Sequence, residues 1–144
     1  MKSRAPVIAA AIAASGLTLA LNAIGAPDRY LPETHKQGEV TYIAGGIGQA
    51  EADAIKHAAK FYPLELEFLL KAKPKDEYLA DVNVRIKDTH DNIVLNVTSD
   101  GPFLLAKMPA GKYTVSAEQN GRVEHREIVI AAKEHRRIVF EWQS

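Results

Sequence analysis

From Ala80 onward the chain alternates apolar and polar side chains in short runs, each cut by Gly, Pro, Asn or Asp, and this period of two commits it to a β-rich fold. Ala80, Val82, Val84 and Ile86 share one side of a run whose other side carries Asp81, Asn83, Arg85 and Lys87, the pattern of a strand with one face buried and one wet. Asp88 to Asn92 has turn composition, and Ile93, Leu95 and Val97 form the expected inward set of the next strand. Asp100-Gly101-Pro102 turns the chain, Phe103 to Ala106 is apolar throughout, and Pro109 to Gly111 turns it back. Four apolar residues in succession predict a strand with neither face in water, either central or covered by a helix. Tyr113, Val115 and Ala117 point inward in the run that follows, and Asn120-Gly121 is a two-residue hairpin signal, so Arg122 to Ile130 is expected to pair back antiparallel. The first half of that strand is polar and is expected to be exposed or bulged, with Ile128-Val129-Ile130 entering the core late. Ile138, Phe140 and Trp142 are the inward face of the last strand.

Upstream, Leu64, Leu66, Phe68 and Leu70 alternate with Glu65, Glu67 and Leu69, giving another strand with one apolar face. Leu69 is the exception on its polar side, placed to pack under a helix or to touch another chain. Lys71 to Glu77 is a charged loop around Pro74. Ala52, Ile55, Ala59 and Tyr62 recur at intervals of three or four, which predicts a helix from about Gln49 to Phe61, ended by Pro63. Val40 to Ala44 is a short strand, whereas Pro27 to Glu39 has charges and turn formers but no period. Counting from Leu64 gives seven strands, so the expected fold is mainly β: a seven-stranded antiparallel Ig-like or prealbumin-like β-sandwich preceded by one α-helix.

Met1 to Ala26 carries Lys2 and Arg4, then an Ala/Leu/Ile-rich run, then the small residues Ala23, Gly25 and Ala26, the layout of a signal peptide cleaved after Ala23 or Ala26. An uncleaved membrane anchor is the alternative, since the run approaches the roughly 20 residues that span a bilayer. The expected division is a signal peptide over 1–26, a linker over 27–39, a strand-helix-strand unit over 40–78, and a sandwich region over 79–144 that packs with 64–70 as one domain. Periplasmic or secreted localisation follows from the leader. The chain has no Cys, which removes disulfides, thiolate metal sites and a Cys nucleophile together. Basic and acidic residues number 18 each, so no excess of positive charge points to nucleic acid.

The V-N-V-R-I-K-D run from Val82, the S-D-G-P-F-L-L-A-K-M-P-A-G-K-Y-T-V block from Ser99 and the N-G turn before a hydrophobic last strand together resemble the carboxypeptidase regulatory-like domain, a transthyretin-like (prealbumin-like) family. The likeness runs from Ala80 to Trp142, somewhat under half the chain, and the Gly-Gly-Ile-Gly turn, helix and strand ahead of it resemble the small exported bacterial members. The resemblance implies a seven-stranded sandwich acting as an accessory or binding module and brings no catalytic residues. The H-x-x-E ligand pair of a zinc carboxypeptidase is absent, because Gly38, Lys60, Ile93, Ile128 and Ile138 stand three residues after the five His. The chain also ends F-E-W-Q-S rather than in the Y-R-G-S tail of hydroxyisourate hydrolases.

Other motifs offer little chemistry. The turn Gly45-Gly46-Ile47-Gly48 precedes a helix, where free N–H groups attract anions. It has Glu51 where a dinucleotide fingerprint needs Gly or Ala, and Glu51 and Asp53, read as first-turn residues, would repel a phosphate. His125 and His135 lie on or near strands that are candidates for pairing, so a composite metal site with a nearby Glu is weighed against ordinary surface His, which is favoured because two imidazoles alone leave the ligand set incomplete. Arg122, Arg126, Lys133, Arg136 and Arg137 interleave with Glu124, Glu127, Glu134 and Glu141, which suits ion pairing on a solvated face. Asn96-Val97-Thr98 matches a glycosylation triplet by chance composition, and no Ser has a His or Asp context in the sequence. No catalytic, cofactor or metal residue is assigned and no cofactor is expected. The expected function is an exported non-enzymatic accessory module that binds an unknown envelope or secreted protein through a sheet surface or an edge strand. It contacts no nucleic acid, and membrane only if the leader stays. The alternative is a small-ligand carrier or sensor using the cleft between helix and sheet near Tyr42, Tyr62 and Leu69. Leu69, the glycine turn and the polar strand after Asn120-Gly121 break the pattern and are where function is sought.

Overall fold

In the computed structural model, which describes residues 27–144, the alternating runs become strands of two hydrogen-bonded sheets with one α-helix. In chain order the strands are β1 (His35–Gln37), β2 (Val40–Gly45), β3 (Leu64–Lys71), β4 (Glu77–Tyr78), β5 (Val82–Lys87), β6 (Ile93–Ser99), β7 (Phe103–Lys107), β8 (Gly111–Gln119), β9 (Arg122–Ile130) and β10 (Arg136–Gln143). The helix α1 (Gln49–Ala58) lies between β2 and β3. The first sheet runs β1-β2-β7-β3-β10, with β4 on the end of β3, and the second runs β6-β5-β8-β9.

Both sheets contribute to one buried cluster. Leu64, Leu66, Phe68, Leu104, Ala106, Phe140 and Trp142 come from the first, and Val82, Val84, Ile86, Leu95, Val115, Ala117, Ile128 and Ile130 from the second. These are the inward sets that alternation selects, and their removal from water is the main favourable term in such a fold. A second cluster lies on the other face of the first sheet, where Ala52, Ile55, Ala59 and Tyr62 pack on Ile43, Phe103 and Leu105. The all-apolar strand is thereby explained: β7 sits between β2 and β3, with Leu104 and Ala106 in one cluster and Phe103 and Leu105 in the other. It is both central and helix-covered.

The structure departs from the sequence expectations in six places. Eight strands follow from Leu64, not seven, the addition being the two-residue β4. The last strand is not antiparallel: β10 lies parallel to β3, with Arg137 opposite Glu65 and Phe140 opposite Phe68. The span Pro27 to Glu39 holds a 3-10 turn (Pro27–Tyr30) and β1, which pairs with β2 through the Gly38 turn. The helix is α only to Ala58, and Ala59–Phe61 tightens into a 3-10 turn before Pro63. Ile93 is 52% exposed, because the register of β5 against β6 shifts between Ile86 and Lys87. Val129 likewise faces water, so β9 keeps its alternation through the apolar end. The leader, residues 1–26, lies outside the described residues.

Candidate functional site

Among the described residues, Glu65 and Glu67 are the charged groups that are buried, each 6% exposed, because β3 has neighbours on both sides. Alternation puts them on the same face as the helix, outside the inter-sheet cluster. The parallel β10 supplies their partners. The Arg137 guanidinium donates to the Glu67 carboxylate and lies 3.8 Å from Glu65 Oε1. His135, in the loop before β10, is 3.0 Å from Glu65 Oε2 through Nε2 and 2.7 Å from the Tyr62 carbonyl through Nδ1. One chain of contacts therefore links Tyr62, His135, Glu65, Arg137 and Glu67. These contacts tie the end of the helix unit to β10. Sequence gave no local sign of it, since its halves lie about seventy residues apart.

The glycine turn is occupied by the chain itself. The Gly46 N–H donates to Glu51 Oε1 at 2.7 Å, so a carboxylate already takes the place an anion would seek. Side chains at Gly45 and Gly46 would run into Glu51 and Phe103, and one at Gly101 into the Gly45 backbone. Asp53 falls in the second turn, where its Oδ1 accepts from Gln49 Nε2 at 2.8 Å.

The residues named for the helix-sheet cleft separate. Tyr62 packs under α1, but Tyr42 belongs to the inter-sheet cluster, where His35 stacks on it at 5.5 Å. Leu69 lies further along β3, beside Glu67 and the Lys75 to Tyr78 segment. The face between α1 and the sheet is filled by the second cluster.

His125 and His135 do not converge. His125 is on β9, its Nδ1 2.9 Å from Ser116 Oγ, while His135 faces Glu65 beside the first sheet. No group of three or more His, Cys, Asp or Glu able to hold a metal occurs among the described residues. The Ser116–His125 contact is a cross-strand pair that sequence spacing hides, and it corrects the reading that no Ser has a His neighbour. It lies on the exposed face of the second sheet, and among the described residues no third group bonds the ring to orient it as a base. The basic residues of the C-terminal third also divide. Arg122 donates to the Gln143 carbonyl and receives Trp142 Nε1–H on its own carbonyl at 3.0 Å, and Arg126 covers the Phe140 ring at 5.3 Å. The polar half of β9 thus closes the side of the molecule between β9 and β10.

The outer strands differ in how they end their sheets. On β6 the Gln37 side chain accepts from the Asn96 N–H at 2.9 Å and donates to the Asn96 carbonyl at 3.0 Å, standing in for a further strand. β9 pairs with β8 along all nine residues, and no strand pairs with its other edge among the described residues.

No protein-family model matches the chain, and neither the curated proteins nor the solved structures contain a match.

Proposed function

We propose that this chain is an exported, non-enzymatic binding module of the cell envelope, built as a prealbumin-like β-sandwich of the carboxypeptidase regulatory-like kind, and that a partner protein adds to the free edge of β9. The observation that carries it is the contrast between the two outer strands of the second sheet: Gln37 takes both backbone groups of Asn96 on β6, while β9 has no strand beside it among the described residues, and the side chains of Trp142 and Arg126 reach only the Arg122 and His125 carbonyls at its polar start. An unpaired edge offers backbone donors and acceptors in register, which a partner strand satisfies. The sandwich reading is supported by the core shared between the sheets and by the seven longer strands from β3 on, three in one sheet and four in the other. Export is supported by the charged start, apolar run and small residues of Met1 to Ala26.

Site-specific photo-crosslinking in the host envelope tests the reading. A crosslinker at Val129 of β9 is expected to give a discrete protein adduct, and one at Thr98 of β6 none. Equal capture from both strands, or none from β9, removes the proposal.

A further inference from the structure

Beyond the helix, the 3-10 turn Ala59–Phe61 and the Ala131 to His135 loop between β9 and β10 flank a half-open hollow of about 360 Å³. Its apolar lining includes Met108, Ile130 and Tyr62, each less than a tenth exposed, together with Pro63, Ala110 and Phe61. Phe61 is 67% exposed, so a large ring is left in water beside an apolar surface, and covering it recovers hydrophobic free energy. Met is unbranched and adapts to a flexible aliphatic guest better than a β-branched residue does.

The surroundings are basic. Lys60 and Lys133 line the hollow, and the Nζ of Lys107 lies 4.8 Å from the centre of the Tyr62 ring. The Nζ of Lys60 lies 5.2 Å from the Phe61 ring centre. None of the three ammonium groups is within 4.0 Å of a carboxylate among the described residues. Against them stands one lining carboxylate, Glu134, while His135 is engaged with Tyr62 and Glu65. Two lining cations without anionic partners, Lys60 and Lys133, with Lys107 behind them on the Tyr62 ring, complement a ligand with one negative head and one apolar tail.

We propose that this hollow binds a free aliphatic carboxylate, its chain against Met108, Ile130 and Phe61 and its head among Lys60, Lys107 and Lys133. The size suits a short to medium chain, since it lies near the lower end of the roughly 300–1,000 Å³ usual for small-molecule sites. This ligand site touches β9 only at its last residue, Ile130, and its lysines lie outside β9, so either proposal can fail without the other.

Calorimetric titration of the purified exported protein with decanoate, kept below its micellar concentration, tests it. Saturable one-to-one binding is expected, with no saturable heat from decylammonium, whose head has the opposite charge. Lys107→Gln with Lys133→Gln is expected to weaken decanoate at least fivefold, and Ala110→Trp, which fills the hollow, to abolish it, both with unchanged circular dichroism. Absence of saturable decanoate binding overturns the proposal. So does equal affinity for decylammonium, affinity unchanged by the lysine pair, or binding to anionic phosphatidylglycerol vesicles without binding to decanoate.

Discussion

The guanidinium of Arg137, 54% exposed, holds the Glu67 carboxylate, whose side chain is only 7% exposed. Removing one partner of a buried pair leaves an uncompensated charge, at a cost of roughly 3–5 kcal/mol when both are deeply buried. Arg137 itself reaches water, so Arg137→Met is expected to lose about 2 kcal/mol in urea unfolding. Glu67→Leu added to that variant is expected to restore most of the loss, because it removes the stranded charge. Wild-type stability in Arg137→Met alone would show that the carboxylate is hydrated rather than held.

Gly101, in the bend between β6 and β7, faces the backbone of Gly45 so closely that a Cβ would overlap it, and Gly45 is held in place by its pairing with Phe103. Gly101→Ala is expected to cost about 3 kcal/mol, at the upper end for overpacking. Gly38, with φ +55 and open space around its Cβ position, provides the contrast. Gly38→Ala is expected to cost only the left-handed backbone penalty of about 1 kcal/mol. Guanidinium melts of the two variants check the ranking.

The strands of the second sheet and the burial of Phe103 to Ala106 were legible because one-faced burial writes itself into a period of two, and two-faced burial into an unbroken apolar run. Ile93 escaped because a bulge shifts the register without leaving a mark in the residues around it. β1 escaped because His35-Lys36-Gln37 is polar and acts at an edge, where its value lies in what Gln37 reaches. The Glu65–Arg137 cluster could be read only by knowing that β3 and β10 pair in parallel, after which Arg137 falls opposite Glu65 and reaches Glu67, while His135 in the preceding loop reaches Glu65. The lysine-rimmed hollow joins a helix end to a loop about seventy residues later, and nothing local announces it.

Gln37 makes two hydrogen bonds to the backbone of one residue, Asn96, and so closes the edge of β6. Gln37→Ala exposes that edge and forfeits about 1–2 kcal/mol of hydrogen bonding. Amide exchange at Asn96 is expected to accelerate at least tenfold, with little change at Val84 in the neighbouring strand. Self-association is expected to rise with concentration, as an opened edge recruits further strands. Unaltered Asn96 exchange would mean that the contact does not protect the edge.

Tyr62 and Tyr113 give the molecule an alkaline limit. Burial raises the Tyr62 phenol above its ordinary value, partly opposed by a hydrogen bond with Thr34. Burial also raises Tyr113, with the negative charges of Glu39 and Asp88 adding to the effect. A raised value in the folded state means that the unfolded chain ionises first, near pH 10. The stability contributed by these neutral phenols is therefore present below about pH 10 and lost as pH rises through the folded-state values. Each tyrosine can contribute a slope of up to about 1.4 kcal/mol per pH unit in that window. Tyr62→Phe is expected to cost about 1 kcal/mol at pH 7 through the lost hydrogen bond, yet to flatten the decline above pH 10. Thermal melts between pH 7 and 11 on wild type, Tyr62→Phe and Tyr113→Phe measure both effects, and identical slopes in all three would place the alkaline transition elsewhere.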